Sequence, residues 1–287
     1  MSTLMTLTAT GLGLAALYFL IASGLSLVFG LADVLNFAHG LFLSVGAYAT
    51  WLVAQHAAFP LALTAGVVAG AASAVLVEVV MIRPLYRRTI EQVLVTVGLS
   101  LVGVAALQLA WGPDPLTFPT PNWATRVLSL AGAAIPVSGL ALVGAAVAVL
   151  LALQLFLRRT RTGLVVRAAV EDREMVTALG IDVSRYFTLI FAVGGAAAAF
   201  AGGLGGLYFA AIAPEQGNSL LVTAIIVVVI GGLGSITGTA AAAVAVGLTQ
   251  QYINYFGATG MGDLSVLILL AAVLLLRPQG IFGGKTA

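Results

Sequence analysis

The sequence predicts an all-α fold, a polytopic bundle of transmembrane helices with about eight or nine spans, some of them broken or re-entrant. Three observations predict it. Hydrophobic residues fill 61% of the 287 positions and charged residues only 8%, against roughly 45–50% and about 25% in soluble domains. A water-facing surface cannot be built from so few charges, whereas lipid accepts an apolar exterior. Apolar runs of membrane-crossing length recur from end to end, and the arginines gather between them. A single membrane domain over residues 1–287 is the expectation.

Crossing a ~30 Å hydrocarbon core takes about 20 mostly apolar residues. Runs at 4–28, 61–82, 93–111, 136–157, 187–212 and 264–276 meet or approach that length. No basic residue precedes the first run in MSTLMTLTAT, so it reads as a retained span rather than a secretory signal. Three further runs are interrupted. Run 34–54 opens on the polar patch Asn36-Phe37-Ala38-His39-Gly40, run 220–230 stops at Gly231-Gly232-Leu233-Gly234, and run 239–256 follows that break. Glycines four apart at Gly66/Gly70, Gly202/Gly206 and Gly234/Gly238 suit close helix packing.

Basic loops stay in the cytoplasm. Arg83, Arg87 and Arg88 form one such loop, and Arg158, Arg159, Arg161, Arg167, Arg173 and Arg185 a second, while Arg277 and Lys285 lie in the tail. This places the N-terminus outside and the C-terminus in the cytoplasm. Segment 112–135 is then external. Pro113, Pro115, Pro119 and Pro121 make it stiff and extended, with Trp111 and Trp123 as interface anchors. Segment 158–185 is cytoplasmic and the most charged stretch of the chain. It has no proline and good helix formers from 165 to 179. Val166, Ala169, Val170, Arg173, Val176 and Thr177 recur there at helical spacing. Such a helix either lies on the membrane surface or docks in another protein's groove.

Several function classes are excluded. A net charge of +2 leaves no nucleic-acid footprint. With no cysteine, and with ten acids and two histidines scattered, no hydrolytic or metal-binding constellation forms. Neither a cofactor nor an enzymatic activity is expected. The terminal Gly284-Lys285-Thr286 resembles the end of a phosphate loop, but the required earlier glycine is Gln279. ATP, if used, is hydrolysed on another chain.

Polar groups within apolar runs are the better pointers, because they are costly in hydrocarbon. Asn36 and His39 either line a substrate path or belong to a capped helix start, with Asp33 or Asn36 as the cap. Thr96 and Ser100 share one helix face, and serve a path or bond the preceding carbonyls. Gly231, Gly232, Gly234 and Ser235 form a second broken segment in the other half of the chain, the arrangement found around transporter sites. Glu78 and Arg83, just before Pro84, read as an interfacial charge pair that stops a span.

Several segments, taken in order, resemble one family. They are Gly30-Leu31-Ala32-Asp33-Val34-Leu35-Asn36-Phe37-Ala38-His39-Gly40 with Gly46-Ala47-Tyr48, then Glu78 with Arg83-Pro84-Leu85, then Thr96-Val97-Gly98-Leu99-Ser100. Arg167-Ala168, Asp172-Arg173-Glu174-Met175 and Gly180-Ile181 follow, then Gly231-Gly232-Leu233-Gly234-Ser235 and Arg277-Pro278-Gln279-Gly280-Ile281-Phe282-Gly283. Together they are similar to the permease family of high-affinity branched-chain amino acid ABC importers, in its H-type subunit. The resemblance implies a bacterial inner-membrane subunit paired with a second, related permease. Two cytoplasmic ATPase subunits and an external substrate-binding protein complete such a complex. It also implies that the 167–182 helix, through Arg167, Glu171, Asp172, Arg173, Glu174 and Gly180, transmits ATPase closure to the spans. Segment 112–135 would be part of the platform for the binding protein, with Asn36, His39 and the glycine break near the path.

The stretch Val79-Val80-Met81-Ile82 departs from the family, which often carries a basic and an aromatic residue there. Substrate identity therefore stays open to urea or short-chain amides, which related permeases carry. A stand-alone secondary transporter or channel is the alternative of a different class. It would call for a mid-depth carboxylate, whereas the acids here fall near span ends or in loops. No charged pocket for an amino acid's ammonium and carboxylate is evident, which assigns specificity mainly to the binding protein.

Overall fold

The computed structural model describes residues 2–32, 36–86, 88–130, 132–258 and 260–282. The chain is a helical bundle. α1 (Ser2–Ala32), α2 (His39–Ala54) and α3 (Phe59–Val77) come first. α3 runs on through a π-helical turn, Glu78–Ile82, and a 3-10 turn, Arg83–Leu85. α4 (Thr89–Trp111) and α5 (Val137–Arg159) follow, then the short α6 (Arg161–Glu171) and α7 (Arg173–Ala178). α8 (Val183–Phe209), α9 (Gln216–Gly231), α10 (Ile236–Phe256) and α11 (Met261–Leu276) complete it.

Five stretches are long and apolar enough to cross a membrane: Ser2–Gly30, Phe59–Leu85, Thr89–Trp111, Val137–Arg159 and Val183–Phe209. α9 and α10 pass the same test only as a pair, bent by 117° at their junction. α2 and α11 are apolar but shorter. By length and composition alone the count is five, or six with the bent pair, below the eight or nine expected. The difference lies in the interrupted runs. α2 begins only at His39, and in that first turn the His39 ring bonds the Ile21 carbonyl of α1 at 3.1 Å. α1 continues for another 11 residues, to Ala32, about 16 Å of helix. The start of α2 is thus sunk within the bundle.

α1 is the central post. Leu17, Leu20, Ile21 and Val28 are fully buried, and α10, α8, α5 and α9 pack around it. α2, α3 and α8 form a second packed group. There a Cβ at Gly46 would fall on Ala199, and one at Gly202 on the Leu43 carbonyl, so these helices meet backbone to backbone. In lipid, dispersion at such contacts drives association, since apolar burial alone gains nothing there. α4 and α5 are peripheral, exposing Leu94, Leu101 and Leu109, and Leu151 and Leu155, as a lipid-facing surface would.

Three expectations are corrected. The 112–135 segment is not simply extended: β2 (Val127–Leu130) and β3 (Ala133–Pro136) pair as an antiparallel hairpin. β1 (Leu116–Thr117) pairs with β4 (Ala211–Ile212) just past α8. The next residue, Phe118, is fully buried against Gly206 and Ile212, an anchor worth about 1.5–3 kcal/mol that ties the segment to α8. The single helix expected over 165–179 is two helices, because Asp172 takes an extended backbone and caps α7 by accepting from the Met175 N–H at 2.8 Å. Local capping there competes with the helix that composition favours. Finally, Gly234 and Gly238 do not share a helix face. Gly234 lies in the α9–α10 turn at φ +78, a left-handed backbone that favours glycine, and its Cα packs on Gly30 at the end of α1.

Candidate functional site

The residues singled out for a path fall into two places. Asn36, His39, Thr96 and Ser100 come together and are all buried. The Asn36 side-chain oxygen accepts from the Ala38 N–H at 3.0 Å, holding the tight entry into α2. Thr96 on α4 accepts from the Phe37 N–H at 3.3 Å. One turn on, Ser100 donates to Asn218 of α9 at 2.7 Å. Gly40 lies against the Gly217 carbonyl and the same Asn218 oxygen. The polar stripe of α4 is therefore read by the α2 entry and by α9. Among the described residues, Asn36 Nδ2, His39 Nδ1 and Tyr48 Oη are buried without a hydrogen-bond partner, a costly state in a bundle interior. Asp33, Val34 and Leu35, just before this entry, lie outside the described residues.

The glycine break is elsewhere. Gly231, Gly232 and Gly234 sit where α9 turns into α10, with Ser235 capping α10 by accepting from the Gly238 N–H at 3.1 Å. The turn packs on Gly30 and on the tail, where the Ile281 and Phe282 N–H groups bond the Ile230 and Gly231 carbonyls at 2.8 and 3.1 Å. Gly30 lies about 9 Å further along α1 than Gly24, which touches His39. The structure thus does not join the break to the Asn36 group. It closes the end of the bundle where α1, the α9–α10 turn and the tail meet.

The 158–185 segment presents two faces. Ala169 and Val176 are buried with Val183 and Phe187, and Tyr86 packs against them, while Val166 is buried in the main core. Arg167, Asp172 and Gly180 are exposed, together with Leu164, Met175 and Leu179. Gly180, at φ +81, ends α7: its own N–H bonds Thr177 O and the Ile181 N–H bonds Val176 O, a Schellman closure. The side chains of Glu171, Arg173 and Glu174 lie outside the described residues, as do Arg87 and Lys285.

Behind this segment is a cluster that sequence reasoning reduced to a charge pair. Glu78 is completely buried at the π-helical turn. Arg83 reaches both its oxygens, at 3.3 and 3.4 Å. Tyr86 donates to Oε1 at 2.5 Å and Thr188 of α8 to Oε2 at 2.8 Å. Tyr86 also meets Phe187 edge to face, with ring centroids 5.6 Å apart. The signal available in the sequence was a carboxylate inside an apolar run; Thr188, 110 positions away, gave none.

A second missed group joins three helices. Tyr18 of α1 donates to Gln250 of α10 at 2.6 Å, and the Gln250 amide donates to Asp263 of α11 at 2.7 Å. A cavity of about 350 Å³ opens beside them, with Ser219 and Thr223 of α9 on its wall. No group of histidines and acids suited to a metal ion occurs among the described residues.

Comparison with known proteins gives a consistent result. The family model described as the branched-chain amino acid transport system permease component matches residues 7–276. The chain is 29% identical to the high-affinity branched-chain amino acid transport system permease protein LivH of Escherichia coli K12, across 95% of this chain and 93% of that one. It is 30% identical to the corresponding permease protein BraD of Pseudomonas aeruginosa, across 95% and 94%. It is 27% identical to a probable branched-chain amino acid transport permease protein LivH of Methanocaldococcus jannaschii, across 92% and 88%. No solved structure matches the chain.

Proposed function

The chain belongs to the branched-chain amino acid transport permease family, and from that membership we propose that it is the membrane-spanning subunit of an ATP-driven importer of branched-chain or related amino acids in a bacterial inner membrane. The observation that carries the reading is the family match from residue 7 to residue 276, which takes in every feature described above except the tail. ATP hydrolysis falls to separate cytoplasmic subunits, a second related permease pairs with this one, and an external binding protein delivers substrate.

The bundle supports a topology for this work. The five long spans, with α2, α9, α10 and α11 as shorter crossings, give about nine passages. An odd number puts the termini on opposite sides, and the arginines around 83–88 and 158–185 assign the C-terminus to the cytoplasm. The hairpin and Phe118 then face the binding protein. The exposed mixture of Arg167, Asp172, Met175 and Leu179 is the surface an ATPase would grip.

Motion at α6 and α7 has a physical route inward. Their buried faces rest on Phe187 and Tyr86, and Tyr86 and Thr188 hold Glu78. A push on this pair reaches α3 at its π turn, where the helix ladder is already irregular. The entry to α2, with its unpartnered Asn36 and His39 atoms, is the part of the path that gains most from rearranging, because an alternative state can satisfy them.

The test is affinity purification of the tagged chain from its native membranes in mild detergent, with partners identified by mass spectrometry. Recovery of an ATPase and a second permease is the expected result. Recovery of this chain alone, under conditions that hold known ABC complexes together, would overturn the reading in favour of a stand-alone transporter.

A further inference from the structure

We propose that the cavity between α1, α9, α10 and α11 binds the ammonium group of a small aliphatic molecule, with the Asp263 carboxylate as its counter-charge. This rests on the permease reading and assigns it a substrate contact. The cavity holds about 350 Å³, within the usual size range of small-molecule sites. Its polar wall is Tyr18, Ser219, Thr223, Gln250 and Asp263. Leu220, Val222, Ile226 and Val266 line the rest, a surface suited to a branched hydrocarbon.

The chemistry selects a cation. No arginine, lysine or histidine lines the cavity, so Asp263 sets the sign of its field. Among the described residues Asp263 has no ion-pair partner. Its orientation is nevertheless fixed. Gln250 is held from the α1 side by the Tyr18 hydroxyl and passes its amide N–H to Asp263 Oδ1. That relay fixes which end of the Gln250 amide faces the carboxylate. It leaves Oδ2 without a hydrogen bond among the described residues, next to a wall carrying two hydroxyls. Asp263 stands in the first turn of α11 and is exposed on the cavity wall, so its free oxygen is open to a ligand that brings the missing positive charge. An ammonium placed there bonds Oδ2 and reaches the hydroxyls, and its hydrocarbon lies along α9 and α11. A ligand carrying only a carboxylate meets like charge. Two sources share this chemistry, a transported amine or amino acid and the headgroup of phosphatidylethanolamine.

The test uses the chain, with the partners that copurify, in nanodiscs of phosphatidylglycerol. The probes are 3-methylbutylamine, L-leucine and 4-methylpentanoate, which share a branched tail and differ in their charged groups. Saturable binding of the amine and of leucine, with none of 4-methylpentanoate, is expected. Asp263→Asn should weaken amine binding roughly tenfold or more, the worth of a charged hydrogen bond, while Asp263→Glu retains most of it. Loss of amine binding when phosphatidylethanolamine is added to the nanodisc would assign the site to the headgroup; binding unchanged by that lipid would assign it to the solute. The proposal is overturned if the amine does not bind saturably, if 4-methylpentanoate binds as well, or if Asp263→Asn leaves the affinity unchanged. The series on the unmodified chain decides the matter even if a variant fails to fold. Absence of an ATPase from the same preparation would count against the permease reading alone.

Discussion

Glu78 and Asp263 are both carboxylates set among apolar helices, and they are handled in opposite ways. Glu78 has no exposed surface, and each of its oxygens accepts two hydrogen bonds, from Arg83 and Tyr86 on one and Arg83 and Thr188 on the other. Asp263 is exposed to a cavity and accepts one, from Gln250. A closed, fully satisfied cluster in low dielectric acts as a rivet, since losing any member strands the others. An open, partly satisfied one is poised for a ligand. The comparison therefore separates a mechanical carboxylate from a binding one without reference to sequence position.

The largest expected effect is at the rivet. Glu78→Ala leaves Arg83, Tyr86 and Thr188 facing a vacated interior. It should lower stability by about 2–3 kcal/mol, less than a fully buried pair would lose, because the Arg83 side chain is 39% exposed. Thermal unfolding of the solubilised chain, followed by size exclusion, measures this; a melting profile like that of the unmodified chain would show that Glu78 is no rivet. Thr188→Val is milder. It removes one donor from α8 at about 1 kcal/mol and should reduce uptake per ATP hydrolysed in reconstituted vesicles, because the α8 link is lost while α3 keeps its own. Equal coupling ratios in variant and unmodified complexes would break that link. Asp263→Asn should be smallest for folding, within about 0.5 kcal/mol, since an asparagine oxygen still accepts from Gln250. A large loss of stability there would make Asp263 a second rivet and erase the contrast.

Much of the bundle is legible in the residues alone. The run at 4–28 is α1, the run at 136–157 is α5, and the arginines at 158–185 mark the segment that holds α6 and α7. Thr96 and Ser100 were placed on one face by spacing, and both are buried on it. Other readings stopped at the local level. The prolines at 113–121 make the whole external segment read as extended and mask the 127–136 hairpin after them, and good helix formers on either side mask the break at Asp172. The glycine break was joined to Asn36 and His39 by analogy between the two halves, but it packs on Gly30 and the tail instead.

Membrane class, the positions of most spans and the basic loops were decided by the sequence itself. Transfer into lipid is nearly a sum over residues in a window about 20 long, so it can be read without knowing neighbours. Which helices touch was decided only by the tertiary structure. Tyr18, Gln250 and Asp263 lie on three helices, and Glu78 and Thr188 on two others. Nothing in the residues adjacent to each names its partner, and each acquires a role only when helix packing brings that partner within hydrogen-bond reach.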